Sequence, residues 1–195
     1  MMAGTTSTRK EVRFTGFGGQ GMVVMGYILG RAATVYDGNN ATMTQSYGPE
    51  ARGGASSTQV IVSPDRIFYP YVIECDILVG MSQEGYDKHR GSLKPDGILL
   101  IDEDLVTPAP DEKPERTYKI PATRFAEELG RKIVANIVML GFFSAFADFV
   151  TEDALRKAIR DSVPKPTIDL NLKAFDKGRS YAQEIKQGSA LRSQG

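Results

Sequence analysis

Gly16, Gly18 and Gly21 stand at the spacing G-x-G-x-x-G, with Phe17, Gly19 and Gln20 between them. Before them, Glu11–Thr15 alternates Val12 and Phe14 against charged neighbours, the pattern of a short strand. After them Met22, Val23, Met25, Leu29 and Ala32/Ala33 recur at helical spacing to about Tyr36. A strand that turns through glycines into a helix lets the backbone approach a ligand, and the free N–H groups at the helix start attract a phosphate. The same glycines also suit a turn that needs them for packing alone. A dinucleotide site would add an acidic residue about 20 positions on, at the end of the second strand, to hold ribose hydroxyls. That strand, Ala41–Gln45, runs out into Gln45-Ser46, and Asp37 falls too early, in the Asp37–Asn40 turn. The missing carboxylate argues against NAD.

A second glycine-rich stretch follows, Ser46-Tyr47-Gly48-Pro49-Glu50-Ala51-Arg52-Gly53-Gly54. The glycines after Arg52 leave it room to reach a phosphate or carboxylate as a bidentate donor, and Ser46 and Tyr47 add hydroxyls. An ion pair between Arg52 and Glu50 inside a stiff turn is the equal alternative.

The remaining reactive residue types form no constellation. Cys75 and His89 are the only cysteine and histidine, too few for an iron–sulfur cluster or a structural zinc site. His89, between Lys88 and Arg90, reads as solvated, and Cys75, opening an apolar strand, as buried. Asp102, Glu103 and Asp104 read as a solvated turn. Asn136, inside an apolar helix, requires a buried hydrogen-bond partner. No catalytic or metal-binding residue is expected.

Twenty-four basic residues balance twenty-four acidic ones, without the basic excess of a nucleic-acid binder. Residues 1–10 read as a disordered leader, 11–187 as a single domain and 188–195 as a tail. Strands are expected at Ser57–Ser63, Ile67–Tyr69, Asp76–Met81, Ile98–Ile101 and Tyr118–Ile120. Helices are expected at Gln83–Leu93, stopped by Pro95-Asp96-Gly97, and at Thr123–Leu129, capped by Thr123. Three more follow, at Ile133–Val150, Thr151–Val163 (capped by Thr151) and Leu170–Gln187. Asn136 and Asp148 interrupt Ile133–Val150, which reads as a core helix rather than a membrane span. Strand and helix in alternation predict an α/β fold: an open, mostly parallel sheet with helices on both faces and a helical C-terminal part.

Five motifs in order resemble one family: Gly16–Gly21, Ser46–Gly54, Asp76–Val79 with Ser82-Gln83, Ile120–Thr123 and Ala135–Gly141. Together they resemble the gamma subunit of 2-oxoacid:ferredoxin oxidoreductases, over about Val12 to Gly178. The resemblance implies a Rossmann-like domain, inactive alone, in a complex that converts a 2-oxoacid, coenzyme A and oxidised ferredoxin to acyl-CoA, CO2 and reduced ferredoxin. It implies partner subunits, alpha and beta or alpha, beta and delta, that carry thiamine diphosphate, Mg and the iron–sulfur clusters. The 2-oxoglutarate type fits best; pyruvate, branched-chain and indolepyruvate types, or a stand-alone nucleotide-binding oxidoreductase, are the alternatives. Carried over residue by residue, Phe17–Gly21 would face the coenzyme A pyrophosphate, and Arg52 with Ser46–Gly48 a second phosphate or a partner subunit. A cytoplasmic location is expected, with neither membrane nor nucleic acid as partner. Asp37-Gly-Asn-Asn40 resembles a thiamine diphosphate signature only superficially.

Overall fold

The structure, a computed structural model, describes residues 9–47 and 54–192. A six-stranded sheet in the order β2-β3-β1-β4-β5-β6 forms its centre. The strands are β1 (Lys10–Phe17), β2 (Asn40–Tyr47), β3 (Ala55–Ser63), β4 (Cys75–Gly80), β5 (Leu93–Asp102) and β6 (Thr117–Ile120). β1, β4, β5 and β6 pair in parallel, whereas β3 runs antiparallel to both β1 and β2. The sheet is therefore mostly parallel, as expected, with β3 alone reversed.

Around it lie α1 (Met22–Arg31, extended by a π turn over Ala32–Tyr36), α2 (Gln83–His89), α3 (Ala122–Glu128), α4 (Ala135–Ser144), α5 (Glu152–Ser162) and α6 (Ile168–Arg192). Alternation along the strands sends Val12, Phe14, Val60, Val62, Ile77 and Val79 to one face, where α1, α4, α5 and α6 cover them. Ile61, Leu78, Leu99 and Ile101 meet Tyr86 of α2 on the other. Strands buried on both faces read as continuous apolar runs, hence Ile77-Leu78-Val79. Every residue of α4 is buried, and Phe143 stands edge-on to Phe14 of β1 at 5.5 Å. Burying one such ring contributes about 2–3 kcal/mol. Gly141 and Gly178 sit where α4 and α6 cross with their backbones nearly touching.

Several expected elements differ. Ile67–Tyr69 forms no strand; residues 64–74 are an irregular connection. Pro95-Asp96-Gly97 lies inside β5 rather than ending a helix, and α2 stops at His89. Cys75 pairs with Leu93 and Ile77 with Ile98, so the three turn-forming residues are absorbed as a bulge of β5. The core helix ends at Ser144, and no helix among the described residues is long and apolar enough to cross a membrane.

Thr123 is not the cap of α3. Asp102, fully buried, does that work: its Oδ2 accepts from Thr123 N at 2.9 Å and Thr123 Oγ1 at 2.6 Å, and its Oδ1 from Asp104 N at 3.1 Å. Burial pushes its carboxyl up and these bonds pull it down. Asp102 is thus buried rather than solvated, whereas Glu103 and Asp104 form the expected exposed turn and pair there with Arg124. Thr151 does cap α5, its Oγ1 accepting from Ala154 N. Residues 1–8 of the expected leader lie outside the described residues, while Lys10 already opens β1 and Arg9 bonds Glu11. At the other end α6 runs through Gly188 to Arg192, where a tail was expected.

Candidate functional site

β1 and β4 are parallel neighbours whose following helices leave to opposite faces, α1 to one and α2 to the other. Open α/β sheets bind ligands in the crevice beyond the strand ends at such a switch point. The glycine motif occupies one lip of this crevice and Met81–Gln83 the other.

Each glycine has a specific reason to be there. Gly19 (φ 94°) and Gly21 (φ 79°) adopt the left-handed conformation that side chains disfavour. A Cβ on Gly21 would lie 2.2 Å from Asn136 Nδ2, and one on Gly16 would lie 2.6 Å from Gln20 Oε1. A Cβ on Gly19 would meet nothing within 4 Å among the described residues.

Gln20 ties the two lips together. Its Oε1 accepts from Phe17 N at 2.6 Å and its Nε2 donates to Met81 O at 2.9 Å. Asn136, buried on α4, donates to Gly21 O at 3.4 Å; the partner its position demanded is the glycine loop itself. These bonds correct one expectation. The Phe17 amide is committed to Gln20, Gln20 N to Phe17 O and Gly18 N to Gly54 O at 3.3 Å, so the loop does not offer every amide from Phe17 to Gly21 to a ligand. Gly19, Gly21 and Met22 retain amides with no acceptor among the described residues. Gly21, the residue preceding α1, supplies no side-chain cap, which leaves the positive end of the helix open to an anion.

Among the described residues no carboxylate ends β2, and the strand directly beside β1 is reversed. In a dinucleotide fold the strand beside β1 runs parallel and ends with the acid. Here β3 takes that place and starts there, Ala55 opposite Phe17. The end of β2 lies one strand further out, Tyr47 opposite Ser56. Ser46, Tyr47 and Gly54 are thereby brought to the same end of the sheet as the glycine loop. Gly48, Arg52 and Gly53 lie outside the described residues.

A family model described as pyruvate ferredoxin/flavodoxin oxidoreductase matches residues 11–181. The chain belongs to this family. It is 52% identical to the 2-oxoglutarate synthase subunit KorC of Methanocaldococcus jannaschii, over 91% of this chain and 96% of the relative. It is 36% identical to the ketoisovalerate oxidoreductase subunit VorA of Methanothermobacter marburgensis, over 91% of this chain but 37% of that longer one. Among solved structures, a keto/oxoacid ferredoxin oxidoreductase gamma subunit from Geobacter sulfurreducens superposes with a TM-score of 0.80 at 42% identity, covering 90% of this chain and 99% of that one. The 2-oxoglutarate:ferredoxin oxidoreductase of Magnetococcus marinus, solved with 2-oxoglutarate, coenzyme A and succinyl-CoA bound, gives 0.78 at 26% identity, covering 90% of this chain and 31% of that one. The gamma-subunit resemblance carried by the five motifs is borne out, and with it a role as one component of an oxidoreductase complex.

The described residues do not fit a metal or an iron–sulfur cluster. No group of three or more His, Cys, Asp or Glu among the described residues could hold a metal. Cys75 is buried, and burial pushes its thiol up to about 11, so it stays protonated at neutral pH.

His89 is not solvated as the sequence suggested. It is half-buried, with Nδ1 at 3.2 Å from Nη1 of the buried Arg13. A guanidinium can only donate, so Nδ1 accepts and the ring is neutral. Burial, then the charges of Arg13 and Lys88, pull its pKa down to about 4. The unfolded ring takes up a proton below about pH 6.5 while the folded one resists. The stability His89 contributes is therefore present above that pH and lost as pH falls towards 4. Discounted for the ring's partial exposure, the expected loss is about 1–2 kcal/mol between pH 7 and pH 5. Urea unfolding at the two pH values should show it in the wild-type chain and not in His89→Asn.

Proposed function

We propose that this chain is the gamma subunit of a 2-oxoglutarate:ferredoxin oxidoreductase and that its glycine loop holds part of coenzyme A. The observation that carries the reading is the loop itself: among the described residues nothing fills the space at Gly19, the amides of Gly19, Gly21 and Met22 have no acceptor, and the helix start has no side-chain cap. Such an array suits a pyrophosphate, and coenzyme A carries one. No acid stands at the end of β2 among the described residues, which disfavours NAD. Ser46, Tyr47 and Gly54 flank the loop, and Arg52 belongs to the segment between them, placed in sequence for a second phosphate or a partner chain.

The reaction converts 2-oxoglutarate, coenzyme A and oxidised ferredoxin to succinyl-CoA, CO2 and reduced ferredoxin. This chain positions coenzyme A and supports assembly. Thiamine diphosphate, Mg and the clusters are assigned to alpha, beta or delta-type partners, a reading supported by the lack of any group of three or more His, Cys, Asp or Glu among the described residues. A cytoplasmic complex suits a chain whose one cysteine is a free thiol.

The choice of 2-oxoglutarate rests on the KorC relatives, at 52% and 46% identity along nearly the whole chain, against 34% for the pyruvate synthase subunit PorC. The test is ferredoxin reduction by the purified complex with each 2-oxoacid. A kcat/KM at least about tenfold higher for 2-oxoglutarate is expected; a preference for pyruvate or ketoisovalerate would move the complex to another branch of the family.

A further inference from the structure

Residues 64–74 carry a row of large apolar side chains that the chain itself leaves uncovered. Phe68 is 84% exposed, Ile73 72%, Tyr71 55% and Tyr69 52%. They lie on an irregular connection, yet it is held firmly. Val72 is fixed through both backbone groups, its N donating to Gln59 Oε1 at 3.0 Å and its O accepting from Arg13 Nη2 at 2.9 Å. Tyr69 and Tyr71 stack edge-on at 5.6 Å, and Arg66 lies 5.5 Å from the Phe68 ring centre. The strap leads into the start of β4, so it lies at the opposite end of the sheet from the glycine loop, which follows the end of β1.

We propose that this strap is the docking surface for a permanent partner subunit of the same complex, the separately encoded counterpart of the sequence that longer relatives carry in one polypeptide with this domain. Two observations choose that occupant. The chain matches only 37% of VorA and 31% of the Magnetococcus marinus chain, so in those proteins this domain is covalently joined to a larger remainder. The strap is also uncharged from Ile67 to Val72. A transient electron carrier is steered by charge, whereas a permanent interface is apolar and rich in aromatic anchors. Anchors already fixed in place lose little side-chain freedom on binding.

The inference rests on the complex proposed above, and the experiment separates the two. Tagged wild-type chain and Phe68→Asp/Ile73→Asp are each purified from cells that make the whole complex, and co-purifying proteins are identified by mass spectrometry. Both positions are exposed, so the variant's melting temperature should match that of the isolated wild-type chain. The wild type is expected to bring down a subunit homologous to the unmatched part of VorA, and the variant at least about tenfold less of it. If the wild type brings down no such subunit, the functional reading itself fails. If the variant retains the subunit at wild-type yield, the strap is not its docking surface. If the isolated wild-type chain is instead a dimer that the variant makes monomeric while the complex still assembles, the strap is a contact between copies and the proposal is overturned. Should the variant melt lower than the wild type, Phe68→Ser/Ile73→Ser is read by the same criterion.

Discussion

Replacing Gly178 with alanine is expected to lower the midpoint of thermal unfolding by roughly 10 °C or more, a loss of about 4 kcal/mol in a chain of this size. The reason is the crossing of α4 and α6. A Cβ at Gly178 would stand 1.8 Å from Val138 O and 2.9 Å from Phe142 N, and one at Gly141 would stand 2.0 Å from Phe175 O. The obstructing atoms are backbone, which cannot swing aside as a flexible side chain can. Relief would come only from moving the helices apart, and Val138, Phe142 and Phe175, all fully buried, would then lose their packing. Ordinary overpacking costs about 1–3 kcal/mol; backbone against backbone on α4 lies above that range. Gly188→Ala supplies the control. It lies on the same helix with nothing within 4 Å of its Cβ, so it should be neutral or gain up to about 1 kcal/mol from helix propensity. Melting curves of the two variants separate a crossing effect from a general intolerance of α6 to alanine.

Gly21→Ala carries the second large effect, on function rather than folding. Its φ of 79° is unfavourable for alanine, and its Cβ would meet Asn136 Nδ2 at 2.2 Å. The residue before α1 must then shift, and with it the amides of Gly19, Gly21 and Met22. In the assembled complex the KM for coenzyme A is expected to rise about tenfold or more, the equivalent of at least about 1.4 kcal/mol, with the KM for 2-oxoglutarate unchanged within about twofold. Adding Asn136→Ala removes the clash but not the backbone strain, so the double variant should recover part of the loss. Steady-state kinetics with each substrate varied in turn reads both. A rise in both KM values together would mean that the loop serves assembly.

What the sequence made legible was local. The strand-glycine-helix motif, the apolar run Ile77–Val79 and the Thr151 cap depend on neighbouring residues, and all stand where they were expected. Pairing direction is different, because period-2 alternation is the same in either sense. The reversal of β3 was therefore invisible. Pro95-Asp96-Gly97 carries the chemistry of a turn, and only the register of β4 against β5 shows it to be a bulge. His89 looked solvated beside Lys88 and Arg90 because its real neighbour, Arg13, is 76 residues away. Thr123 had the right type and nearly the right place for a cap, but a buried carboxylate from the end of β5 outcompetes it. Asn136 was legible as a residue in need of a partner, though not that the partner was Gly21. Gln20 could be recognised as part of the motif; that it closes two of the loop's own backbone groups required the geometry.

The central claim is that coenzyme A contacts this chain at the glycine loop. Hydrogen exchange in the assembled complex, with and without coenzyme A, tests it most directly. The amides from Phe17 to Val24 should exchange more slowly when coenzyme A is added, together with those of the Ser46–Gly54 segment, and 2-oxoglutarate alone should leave them unchanged. Protection on the partner subunits with none in these two segments would show that coenzyme A binds elsewhere and that the glycine loop serves the architecture alone.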